Sequence, residues 1–520
     1  MTVLEVARRL RAVEAGEPMA RYDTIHHAVA TPEHTLLVAF VRMAGESRPW
    51  GIAWGQPGDA PAVRSVPDGR VRDDVAEIAA DFGEVLLGHL RVHNWTYDPV
   101  PRDAKADDLR QVWLPNGQHV AILHQLEYAY AQTKFGGADR ETLNALGRLA
   151  GWLFRESARR GTQHVVDASA ALRDAYAFPA QDARQAHLGF LLAWLRTKGN
   201  GRDRAAAAEL AERDPVSPTM APSVDRDELA PLLEKRQSRR RADKDTAPLD
   251  DQVATILHRE LHYRWKQLDH AYEVLRSSDR PVNPGVAGLV ASAVEEFYWR
   301  VQAPELKIAD PTQGSAYVPH PETDFHGSAA ASNYLRFGAA DERFVNLLIH
   351  DDESLFRESL RDGRAMQGTV LGVRDEGSGR SIVPIWVVEL DVDAPRRIRE
   401  GGRVVPRGGP GHYAVVRVLE QDERGVRVEL EWQGRKTMPV PTGPHAKPVS
   451  DEWVGLEVGF VASDAADLTL RRSQRVWRAA DGPGAWLTHG RRPTPIVADI
   501  ANDEPETILD DITQIEGTVP

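Results

Sequence analysis

The segment Gly372–Ser381, GVRDEGSGRS, lies one substitution and a small shift from the phosphate-cradling pattern GxxxxGK[ST]. A phosphate loop needs a lysine that reaches the terminal phosphate and a helix behind it whose first amides ring the anion. Ser378 stands where the lysine belongs, and the following run, IVPIWVVELD, is β-rich and contains Pro384. The segment therefore reads as the loop of a hairpin between TVLGV and IVPIWVV, with its glycines serving positive φ angles.

Other chemistry-bearing sets are similarly incomplete. His258 and His262 lie one turn apart in HRELHYRWKQLDH, with His270 beyond them. A zinc-protease helix places Glu directly after the first His, whereas Arg259 stands there and Glu260 comes one position late, pointing away from where a general base acts. The Ser-rich stretch HGSAAAS, 326–332, reads as a turn and helix cap, and no GxSxG elbow occurs. His350, Asp351, Asp352 and Glu353 cluster at an expected helix start, where acids complement the helix dipole. Glu389, Asp391 and Asp393 on VVELDVD come nearest to a nuclease carboxylate pair but lack a following lysine. The chain contains no cysteine, which removes disulfides, thiolate nucleophiles and cysteine-ligated metals together. No catalytic set, metal or cofactor is assigned on these grounds.

The basic segments point to a different chemistry. KRQSRRR supplies Lys235, Arg236, Arg239, Arg240 and Arg241 at one helix end, and LRRSQR places Arg471, Arg472 and Arg475 on another. In EWQGRK, Trp432 sits beside Arg435 and Lys436 at a turn, an aromatic next to cations as in proteins that track nucleic-acid strands. The chain carries 77 acidic and 64 basic residues, a formal net charge of −13, so it has no global attraction to nucleic acid or to an anionic membrane. Local patches must act instead, within a Debye length.

The elements that would position these residues follow from periodicity. At 520 residues the chain is long enough for several domains, and 42% hydrophobic with 27% charged residues is a globular balance. No apolar run of about 18 residues occurs and the amino terminus is amphipathic, so a cytoplasmic protein without membrane contact is expected. The predicted fold is α+β and multidomain. A small α+β unit over 1–125 opens with a helix, continues as a meander (TLLVAFVRM, RPWGIAWG, APAVRSVPDG), then a helix from Asp73 to Leu90, and closes on a turn and strand in WLPNGQHVAILH. A helical region over 126–197, a Pro- and Ser-rich linker or surface loop over 198–228 and a second helical region over 229–365 follow. Short strands separated by Gly, Pro and Asp predict a small antiparallel β-barrel over 366–465, and 466–520 reads as a basic helix and an acidic tail.

The stretch 366–500, with GTVLGV, IREGGRVV, GVRVELEW and DLTLRRSQRVWRAADGPGAWLTHGRRP, resembles the accessory region that precedes the motor in bacterial superfamily 1 helicases. In that family a small β-barrel is followed by an arginine-bearing helix and then by the ATPase core. Here an acidic tail follows Pro493 where the motor would begin. The resemblance implies an accessory subunit serving a separately encoded helicase or nuclease subunit. The expected role is a non-enzymatic scaffold in a DNA-processing, antiphage-defence type of complex, with DNA as a partner and Trp432 available to stack on a base. The alternatives are a hydrolase or metal-dependent nuclease, with carboxylates such as Asp351, Asp352, Glu389 and Asp391, and a purely protein-binding subunit.

Overall fold

The computed structural model describes residues 3–90, 109–157, 164–283 and 349–463, with short breaks inside these ranges and a few further residues near 290. α1 (Val3–Ala15) leads to the short strand β1 (Met19–Ala20). β2 (Thr35–Val41), β3 (Gly51–Gly55) and β4 (Ala62–Ser65) then form the predicted antiparallel meander. α2 (Arg72–His89) crosses over, and β5 (Gln111–Leu114) pairs parallel to β2 on the side away from β3. α3 (Gly117–Tyr130) and α4 (Arg140–Ser157) make a second crossover to β6 (Val165–Asp167), parallel to β5. The sheet order is β4-β3-β2-β5-β6.

Both faces of this sheet are covered, which explains why TLLVAFV reads as an unbroken apolar run. Leu36, Val38 and Phe40 of β2 join one core with α2, α3 and α4, while Leu37 and Val41 face the opposite core. That second core contains α5 (Ala168–Ala175), α6 (Leu188–Arg196), α7 (Gly201–Ala211) and α9 (Ala247–Arg276). Between α7 and α9 stands α8 (Ala230–Arg241), and β7 (Tyr176–Ala177) pairs with β1. Leu257, Leu261 and Leu268 of α9 are fully buried. At about 1.5–3 kcal/mol each, such a row is what holds the helix to the sheet.

Three expectations are corrected here. The boundary at 125/126 does not mark an edge of the core, because helices from 126–197 and 229–365 pack on the two faces of the same sheet. WLPNGQHVAILH is a strand, a turn and a helix: the Asn116 side chain accepts from the backbone amides of Gln118 and His119 at 3.1 and 3.3 Å, so Asn-Gly caps α3 and does not turn a hairpin. The stretch 198–228 holds α7, opened by an Asn200/Asp203 capping box, and then buries Val216 and Met220. Arg42 at the end of β2 binds this strap through its backbone, donating to Pro218 O at 2.8 Å and accepting from Met220 N at 3.2 Å.

The barrel is present as expected. α10 (Glu353–Arg361) precedes β8 (Ala365–Glu376), β9 (Val383–Leu390), β10 (Arg403–Pro406), β11 (Ala414–Asp422) and β12 (Gly425–Trp432). After the small hairpin of β13 (Met438–Val440) and β14 (Gly443–Ala446), β15 (Glu457–Ser463) closes an antiparallel barrel in the order β10-β11-β12-β9-β8-β15. Gly368 of β8 is required at its place, since a Cβ there would sit 2.0 Å from Glu389 O. β8 and β9 are the hairpin predicted for the phosphate-loop look-alike; Gly377 has a φ of 96°, and 378–382 lie outside the described residues. No helix among the described residues is long and apolar enough to cross a membrane.

Candidate nucleic-acid interface

The predicted basic helix end is the last turn of α8. Its first turns are anchored: Leu229 is fully buried, and Leu232 and Leu233 pack on the second core. From Glu234 onward the helix leaves the core, and Lys235, Arg239, Arg240 and Arg241 are exposed. The chain reverses at Asp243, whose φ is 51°, and returns as α9 with Pro248 in its first turn. The result is a helical hairpin with a fixed base and a basic tip, to which Lys244 adds another exposed cation.

The cations of this segment are not equivalent. Arg236 is 12% exposed and forms ion pairs with Asp250 and, at 3.7 Å, with Asp68, so its charge is spent inside the protein. This corrects its assignment as a phosphate contact. Thr246 Oγ1 donates to the same Asp250 carboxylate at 2.9 Å. Arg239 donates from its guanidinium to Asp245 O at 3.1 Å and so helps to close the turn. Three cations in the last helical turn also complement the carbonyl end of the dipole, a purely local benefit of about 0.3–1 kcal/mol each.

Trp432 requires a second correction. Its ring is 2% exposed inside the barrel, 4.8 Å from Trp386 and 6.3 Å from Phe460, so it has no face to offer a base. The alternation of β12 dictates this: Val426, Val428, Leu430 and Trp432 all point inward. Trp453 completes the aromatic core against Trp386 at 4.7 Å and donates from its indole to Lys447 O at 3.0 Å. The barrel interior is thus filled by side chains. Its outer wall pairs its own charges: Arg374 binds Glu429 at 2.9 Å, Arg417 binds Glu376, and Arg427 stands opposite Glu389 and Glu420 across the strands. Arg435, Lys436, Arg471, Arg472 and Arg475 lie outside the described residues.

Asp352, His258 and His262, considered for catalysis, have partners of their own. Asp352 caps α10, accepting from Leu355 N at 2.8 Å, and meets Arg8 of α1 at 3.4 Å, which bears out the cap. His258 Nε2 is 3.1 Å from Ser65 Oγ, and His262 Nδ1 is 2.7 Å from the His258 carbonyl. Asp351, Asp393 and the 326–332 stretch lie outside the described residues. Among the described residues no group of three or more His, Asp or Glu side chains is placed to hold a metal ion.

Two buried polar residues escaped the sequence reading. His119 bridges the end of β2 to the strap: its Nδ1 accepts from Phe40 N at 3.2 Å and its Nε2 donates to Val216 O at 2.8 Å. Burial pushes this imidazole down to about 3, so it is neutral, and each ring nitrogen serves the one role its neighbour permits. Arg264 of α9, fully buried, donates to Ser217 O at 2.7 Å, Thr219 O at 3.4 Å and the Glu260 carboxylate at 3.0 Å. Desolvation lowers its pKa. Both stand among other polar residues, and the available signal was their helical phase: His119 shares the face of Ile122, Leu123 and Leu126, and Arg264 that of Leu257, Leu261 and Leu268.

No protein-family model matches the chain, and no curated protein or solved structure matches it either.

Proposed function

We propose that this protein is a non-enzymatic accessory or scaffold subunit of a DNA-processing assembly, acting in the cytoplasm and contacting nucleic-acid phosphates through the tip of the α8–α9 hairpin. Defence against foreign DNA is the setting proposed for it. The partner class is a separately encoded helicase or nuclease subunit, as implied by the resemblance of 366–500 to the region preceding a helicase motor.

One observation supports this most: Lys235, Arg239, Arg240 and Arg241 are exposed together at the end of a hairpin whose base is locked into the core. Phosphate contacts by such exposed cations supply sequence-independent affinity. Fluorescence anisotropy with labelled single-stranded and duplex DNA at low salt tests it. The wild-type chain should bind without cleaving, and the Arg240→Glu/Arg241→Glu variant should bind at least ten-fold more weakly. Absence of binding by the wild type at low salt would overturn the proposal, and metal-dependent cleavage would favour an enzyme.

A further inference from the structure

With Trp432 buried, strand tracking needs an aromatic elsewhere, and α3 supplies one. Tyr128 is 92% exposed, and its ring and hydroxyl meet no partner among the described residues. It stands on the crest of the helix, opposite the buried row Ile122, Leu126 and Tyr130. Its flanks are polar and pre-ordered. One turn earlier, His124 stacks on Phe154 at 4.8 Å with the rings 18° apart, and its Nδ1 lies 3.1 Å from Glu127. Arg155 also binds Glu127, at 2.8 Å, so the acid adjacent to the tyrosine is paired with a cation. On the other flank the Gln125 amide group lies between the Arg42 guanidinium and the Ser47 carbonyl, which brings the loop bearing exposed Arg48 against α3.

That loop links α3 to α8. Glu46 binds Arg70 at 2.8 Å, and Asp68, two residues before Arg70, binds Arg236 of α8 at 3.7 Å. These contacts tie α3, the loop bearing Arg48, the turn bearing Arg70 and the surface of α8 at Arg236 together pair by pair.

We infer that Tyr128 is a stacking platform for an unpaired base of single-stranded nucleic acid, whose backbone follows these elements to the α8 tip. The inference rests on the function proposed above. A phenol ring stacks on any base, so it adds affinity for single strands without sequence preference, whereas the bases of a duplex are already stacked. The tip charges act on both forms.

The test is anisotropy with an unstructured oligonucleotide and a duplex of equal length, using the full chain with Tyr128→Ala, Tyr128→Phe and, separately, Arg240→Glu/Arg241→Glu. Because Tyr128 is exposed, the alanine variant should keep the wild-type circular dichroism and melting temperature. Expected is a loss of about ten-fold for the single strand with Tyr128→Ala, unchanged duplex binding, and recovery with Tyr128→Phe. Unchanged single-strand binding in Tyr128→Ala, with the arginine variant impaired, would overturn the stacking platform and leave the tip in place. Undiminished binding in both variants, or no binding by the wild type, would overturn both proposals.

Discussion

His119 shows how much one side chain can fix. A neutral imidazole has one donor and one acceptor, and here Val216 O and Phe40 N consume them. Protonation would set an N–H against the Phe40 N–H. His119→Ala should therefore cost about 1–3 kcal/mol in urea unfolding, since two buried backbone groups lose their partner; a cost below about 0.5 kcal/mol would mean that the strap does not depend on it. Trp432→Ala should cost about 3–5 kcal/mol through the cavity it opens in the barrel. A DNA-binding defect in that variant would then reflect unfolding, and a loss of binding with an unchanged melt would contradict the burial. EWQGRK resembled a stacking turn because types and spacing were right, but the inward phase of β12 is set by Val426, Val428 and Leu430, a register that the turn alone does not reveal.

At the scale of elements, the strap over 216–220 is the part composition hid best. Pro and Ser suggested a linker, yet its carbonyls are the acceptors for Arg264, and its backbone pairs with Arg42. Arg264→Met should destabilise the protein by about 3–5 kcal/mol, because Glu260 and the strap carbonyls lose a buried charged partner. Equal unfolding midpoints for wild type and variant would contradict this. Local pattern revealed α2, α9, the β2–β4 meander and the β8/β9 hairpin, because each carries its own period of apolar residues and its own turn residues. It did not reveal that β5 and β6 lie parallel to β2, since strand order depends on crossovers longer than any periodic window. The basic tip was legible as KRQSRRR, but the pairing of Arg236 with Asp68 and Asp250 joins residues from three elements, and Tyr128 carries no sequence mark of exposure beyond its helical phase.

For the whole molecule, buried histidines set the response to acid. Burial lowers His27 and His89 to about 4 and His119 to about 3, against an ordinary value near 6.5. Between those limits the unfolded chain binds more protons than the folded one, so stability is complete above about pH 6.5 and declines as pH falls toward 4. Each group removes up to about 1.4 kcal/mol per pH unit in that window. Thermal melts at pH 7.5 and 5 should show a lower midpoint at pH 5, with a smaller difference in His119→Asn; a higher midpoint at pH 5 would contradict the burial of these rings. The central claim is that an acidic molecule with a charge of −13 engages nucleic acid through a few cations on a rigid tip. Its most direct test is a salt titration of duplex binding by the wild-type chain. Engagement of Lys235, Arg239, Arg240 and Arg241 predicts that log K falls linearly with log salt with a slope of about −2 to −4. A slope near zero, or no binding at the lowest salt, would contradict it.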